Sequence, residues 1–139
     1  MDRAGHRTLP HTADLIIEAW GPTQAACLSE AVRGLVGSFA DTSGAPALTP
    51  WPFHIDPAGD DELLVALLEE VLYLLDARGA VPVDVAIEPT ASGGLAGCFH
   101  VAPVEGIEVI GPAPKAVTRH RLWVGRRDGL WACRATIDV

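Results

Sequence analysis

Lysine is almost missing from this chain: Lys115 stands alone beside nine arginines. Cysteine is scarce too. Cys27, Cys98 and Cys133 are an odd, widely spaced set with no Cys-x-x-Cys pair. That excludes a disulfide framework and a zinc knuckle, and it leaves buried free thiols as the expectation. No apolar run is long enough to cross a bilayer, and the richest, LLVALLEEVLYLL, is broken by Glu69 and Glu70. The opening MDRAGHRTLPHTAD lacks the basic-then-apolar pattern of a secretory leader. There is no Gly-rich phosphate loop, no nucleophile elbow and no Cys–His arrangement. No residue reads as a nucleophile with its base beside it, which argues against an enzyme. These absences describe a soluble, cytoplasmic protein with no membrane segment.

What is present suits one globular domain over residues 1–139, with 49% hydrophobic residues to build a core. Net charge is −8 at neutral pH. Such a surface gains little counterion-release affinity, so strong direct binding of nucleic acid is not expected. A partner protein or a cation is the more natural companion.

Residues 1–10 read as an N-terminal arm ending at Pro10. DLIIEAW (14–20) alternates and is β-branched, so it reads as a strand stopped by Gly21-Pro22. Thr23 then caps a helix, TQAACLSEAVRGLVGSFA, whose Leu28, Ala31, Leu35 and Phe39 share one face. Residues 41–50 are turn-rich. WPFHID reads as an edge strand, because Pro52 removes a ladder donor. PAGDDELLVALLEEVLYLLDARG is the strongest helical segment, with Asp60 or Asp61 as cap and Gly79 as stop. VPVDVAIE places Val83, Val85 and Ile87 on one strand face, and TASGG turns it into LAGCFHVA. After the connector PVEGIEVIGPAP, the strands KAVTRHRLWVG and LWACRATIDV flank a hairpin at Arg127-Asp128-Gly129. The order is β-α-β-α-β-β-β-β. The fold class is α+β, with two helices packed on a mixed, largely antiparallel sheet.

Four polar features remain after the core is assigned: HTAD (11–14), Asp76 late in the second helix, KAVTRH (115–120) and the final Asp138-Val139. Taken singly, Asp14 and Asp138 are ordinary strand-end acids. If the first strong strand and the last are neighbours, Asp14, Asp138 and an oxygen of Val139 can converge. Hard oxygen donors without sulfur suit Ca²⁺, Mg²⁺ or Mn²⁺ rather than Zn²⁺. A divalent ion would also relieve the repulsion between carboxylates crowded at the strand end. Lys115 is either a strand-edge cation or a three-donor ammonium aimed at a carboxylate or phosphate. Arg119, His120, Arg121, Arg126 and Arg127 form a basic cluster in an acidic protein. That cluster is either a solvated hairpin or a docking surface for an acidic protein or an RNA end. His11 and His120 are candidate metal or acid–base groups, with a turn cap and a polar sheet face as their plain alternatives.

HTADLIIEAWGPT, ELLVALLEEVLYLLD, KAVTRH and the terminal IDV, in that order, resemble the archease family. The resemblance spans His11 to Val139. It implies an accessory protein of the tRNA-splicing RNA ligase, which joins 2′,3′-cyclic phosphate and 5′-hydroxyl RNA ends using GTP and Mn²⁺. In that role archease promotes guanylation of the ligase and multiple turnover. The resemblance also implies a bound divalent metal, usually calcium, on Asp14, Asp138 and Val139, and a functional lysine at Lys115. Asp76, His11, Arg119 and His120 join Lys115 as candidates for partner activation. One position departs from the family pattern: Arg119 stands where the family strand carries Tyr, which points to an altered docking contact such as an Arg–carboxylate pair. Two other readings are a stand-alone metal-dependent hydrolase using Asp14, Asp138 and His120, and a general calcium-binding, chaperone-like module.

Overall fold

The computed structural model describes residues 3–10, 14–46 and 48–139. Its first strong strand alternates as its sequence demands. β2 (Asp14–Gly21) buries Ile17 and Ala19 to 1% exposure, while Glu18 faces away. Thr23 then caps α1 (Gln24–Phe39), its Oγ1 accepting from the Ala26 N–H at 3.1 Å. Such a cap contributes about 1 kcal/mol. Leu28, Ala31, Leu35 and Phe39 form the buried stripe that the spacing predicts. Gly34 lets α1 sit close to β2, since a Cβ there would meet Ile17 at 3.0 Å.

β3 (Ala40–Asp41) and the edge strand β4 (Thr49–Ile55) lead to α2 (Asp60–Arg78). Gly59 takes the N-cap position, without a side-chain bond. Asp60 and Asp61 lie in the first turn instead, where their charge still favours the helix N-terminus. Asp60 accepts from Gln24 Nε2 at 2.8 Å, tying the two helix starts together. Gly79 ends α2 with φ +58°, a left-handed conformation that glycine adopts without a Cβ penalty.

The remainder is β: β5 (Ala80–Pro89), β6 (Leu95–Pro103), β7 (Glu108–Val109), β8 (Ala116–Arg127) and β9 (Leu130–Asp138). β5 has an irregularity between Pro82 and Asp84, so Val81, Pro82, Val85 and Ile87 are buried and Val83 is only half-buried. Asp128 and Gly129, both at positive φ, form the two-residue turn between β8 and β9.

Every strand pairing is antiparallel. One sheet has the order β1-β2-β9-β8, a second β4-β6-β5, and β3 pairs with β7. Each helix touches strands of both larger sheets, so they share one hydrophobic core. The α+β class and the largely antiparallel sheet follow the sequence reading. The segment read as an arm does not: Gly5–Pro10 is β1, an edge strand in register with Leu15–Trp20 of β2. The 103–114 connector likewise contributes β7, where Ala40 pairs with Val109. Of the thiols, Cys27 and Cys133 are buried as expected and Cys98 is only partly so. No described helix is long and apolar enough to cross a membrane.

Two glycine-to-alanine changes should move stability in opposite directions in urea unfolding. At Gly97 a Cβ would enter the Ala86 carbonyl and the Phe53 ring, so Gly97→Ala should cost about 2 kcal/mol. At Gly37, in α1 with nothing near the added atom, Gly37→Ala should gain about 0.5 to 1 kcal/mol. Equal effects at the two sites would contradict this packing.

Candidate metal and partner-docking site

The β2–β9 register places Asp14 directly opposite Asp138. Ala116 of β8 lies on the other side of Asp138 in the same row. Ile137 is fully buried, so its neighbour Asp138 projects from the face away from the core. Residues directly opposite across antiparallel strands have Cβ atoms about 5 Å apart, and like charges there repel. Among the described residues neither carboxylate has a side-chain hydrogen bond or ion pair.

The same sheet face treats another carboxylate differently. Glu18 stands opposite both Arg7 and Arg134. It accepts from Arg7 Nε at 2.8 Å and from an Arg134 terminal nitrogen at 3.2 Å. Burial alone would raise the Glu18 pKa, but the two guanidinium groups outweigh it and hold the carboxyl below its ordinary 4.5. One end of this face is thus neutralised by arginine, and the Asp14/Asp138 end is not.

These residues fit a hard divalent cation. Two facing carboxylates supply charge and oxygen donors, and no thiol or imidazole is required. Among the described residues no group of three or more His, Cys, Asp or Glu side chains is placed to hold a metal. Val139 adjoins Asp138, and one of its oxygens would be the third donor. His11 lies outside the described residues.

Lys115 reaches the same strand end through its backbone, its N–H donating to the Asp138 carbonyl at 2.7 Å. Its side chain is exposed and lines a groove of about 640 Å³ between α2 and the start of β8. Glu69, Leu72, Tyr73 and Asp76 form the helical wall of that groove. Asp76 and Lys115, assigned separately from sequence, therefore share one concavity, next to the Asp14/Asp138 row.

Arg119 and His120 fall elsewhere. Thr118 pairs with Thr136 and Trp123 pairs with Arg134, so residues 119–122 bulge out opposite Ala135 alone. Arg121 sits there at φ +57°, uncommon for a residue with a side chain. Thr136, 1% exposed, donates its hydroxyl to the His120 carbonyl at 2.9 Å, and Thr118 Oγ1 accepts the His120 N–H at 3.3 Å. His120 is thus held by its main chain, with its ring exposed. Arg119 is engaged within the chain by an exposed ion pair. Its Nε and a terminal nitrogen grip both oxygens of Glu62, at 3.1 and 2.7 Å. That contact lowers the Glu62 pKa and raises that of Arg119.

Glu62, Glu69, Tyr73 and Thr136 were not singled out from sequence. The first three had a visible signal, because they lie with Asp76 along one exposed stripe of α2 at helical spacing. Thr136 had none, since only the bulge explains its burial.

The Glu18 cluster sets a pH dependence. Its folded-state pKa is depressed, so its contribution is present above the unfolded value near 4.5 and is lost as pH falls through the lower folded value. Glu18→Gln should therefore lose stability at neutral pH and flatten the acid limb of a urea-midpoint profile. An unchanged acid limb would remove the cluster's role.

Residues 6–139 match the model of the Archease protein family. The chain is 42% identical over 136 residues to the probable protein archease of Mycobacterium tuberculosis, an alignment covering 98% of this chain and 75% of that protein. To protein archease of Archaeoglobus fulgidus it is 27% identical over 140 residues, covering 96% and 98%. Two solved structures share the fold. The solution structure of Methanobacterium thermoautotrophicum protein 1598 gives a TM-score of 0.75 at 24% identity, over 97% of this chain and 99% of that one. The crystal structure of a Thermotoga maritima archease, named a possible chaperone, gives 0.67 at 19% identity over 94% of each. On the extent of the family match and the identity to its curated relatives, this chain belongs to the archease family.

Proposed function

We propose that this archease is an accessory protein that activates an RNA ligase and carries a divalent cation, calcium in the first place, with Mg²⁺ or Mn²⁺ as alternatives. The ligase is the GTP- and Mn²⁺-dependent enzyme that joins 2′,3′-cyclic phosphate and 5′-hydroxyl RNA ends. The accessory protein promotes its guanylation and multiple turnover. The observation that carries this reading is the in-register Asp14/Asp138 pair beside Lys115, in a chain of this family. Asp14, Asp138 and a main-chain oxygen of Val139 would hold the ion, which when bound supplies positive charge between two facing carboxylates. Lys115 offers a compact ammonium to a phosphate or carboxylate of the partner. Asp76 offers the opposite charge from across the groove. An accessory of this kind acts by binding one state of its partner more tightly than another.

The cation can be tested without the ligase. In chelator, Asp14→Asn or Asp138→Asn should raise the melting temperature, because each removes one of two facing like charges. Added Ca²⁺ should stabilise the wild type by about 2.7 kcal/mol at 100 times its Kd and leave both variants unmoved. Destabilised apo variants that still respond to Ca²⁺ would refute the site.

The accessory role is tested with the ligase of the same organism, GTP and Mn²⁺. Addition of this protein should speed guanylation and permit repeated turnover. Lys115→Ala should keep its melting temperature and lose that stimulation. A ligase indifferent to the wild-type protein would end the proposal.

A further inference from the structure

Among the described residues β8 has a strand on one side only, β9. Alternate backbone N–H and C=O groups along its free edge point away from the sheet. Two features bound that edge. Pro114 precedes Lys115, and the bulge at 119–122 ends regular pairing after Thr118. The open stretch is thus Ala116–Thr118, since the Lys115 N–H is already bonded to Asp138. It is short enough to resist edge-to-edge aggregation, which bulges and prolines oppose.

α2 runs alongside. The groove lined by Lys115, Ala116 and Val117 has Leu72 and the 45% exposed Tyr73 on its helical side. Glu69 lines both this groove and a second one that continues past Glu62 and Arg119 towards Asp56. Taken together as one trench along α2, the two grooves carry Asp56, Glu62, Glu69, Glu70 and Asp76 against Lys115 and Arg119, and Glu62 already neutralises Arg119. The charge left over is negative. From Glu62 to Asp76 the helix extends about 21 Å, the length of about six extended residues.

We propose that this trench binds an extended, lysine- or arginine-rich segment of a partner protein, which adds to the free edge of β8 as an extra strand. Backbone bonds to Ala116–Thr118 would supply affinity, and Tyr73, Glu69 and Asp76 would select apolar and basic side chains. The surface rests on the accessory role above only for the identity of the partner.

The probe is a capped hexapeptide of alternating lysine and valine, titrated into the ¹⁵N-labelled full chain. Amide shifts and slowed exchange should localise to Ala116–Thr118 and the Tyr73 side of α2. The glutamate–valine counterpart, or the double variant Glu69→Lys/Asp76→Lys, should bind about tenfold more weakly. Methylating the peptide's alternate amides in one phase should abolish binding, and in the other phase should be tolerated. Shifts elsewhere, or equal binding of both methylated peptides, would overturn the added strand. Peptide binding without ligase stimulation would remove the ligase and keep the edge. Ligase stimulation undiminished by the double variant would keep the accessory role and remove the edge.

Discussion

The pairing of β2 with β9 is the constraint on which the rest depends. Ile17 lies opposite Ala135 and Leu15 opposite Ile137, and Ile17, Ala135 and Ile137 are almost wholly buried. A slip of one residue would turn that set outward, because side chains alternate with a period of two. Burying an isoleucine is worth about 1.5 to 3 kcal/mol, whereas a half-buried pair of like charges directly opposite costs a fraction of that. The core therefore dictates the register, and the register forces Asp14 against Asp138. The facing of the two carboxylates is thus a consequence of the fold.

One sheet face meets the problem of clustered carboxylates in two ways. Glu18 is answered inside the chain by Arg7 and Arg134. Asp14 and Asp138 have no such answer among the described residues. The scarcity of lysine sharpens the contrast. Arginine serves the ion pairs at Glu18, Glu30, Glu62 and Asp84, while Lys115 appears in none of the described ion pairs and stands where the chain leaves the groove to enter β8. On this surface intramolecular pairing falls to the planar guanidinium fork, which matches a carboxylate with two parallel bonds.

Local signals were legible from the sequence and long-range ones were not. The alternation in β2, the Thr23 cap, the apolar stripe of α2, its Gly79 stop and the Asp128-Gly129 turn each lie within a few residues of their cause. β1 was read as an arm because Gly5–Pro10 is short and ends in proline, and it becomes a strand only with β2 beside it. β3 and β7 are two residues each and exist only as each other's partners. The 119–122 bulge escaped for a related reason, since KAVTRHRLWV alternates acceptably and the surplus residues show only against β9. Arg119 could be read as a carboxylate binder, but its partner Glu62 lies 57 positions away. Among the site candidates, the meeting of Asp14 with Asp138 was inferred from the neighbouring of their strands, and the shared groove of Asp76 and Lys115 was not foreseen.

The central place of β9 has a further consequence. It lies between β2, from the opening of the sequence, and β8, its hairpin neighbour. Closing β2 onto it joins segments separated by most of the chain, a contact of the high order that slows folding. The facing aspartates therefore do not exist as a pair in any partly assembled hairpin or helix. Any ligand that required both carboxylates would meet them only in the completed fold.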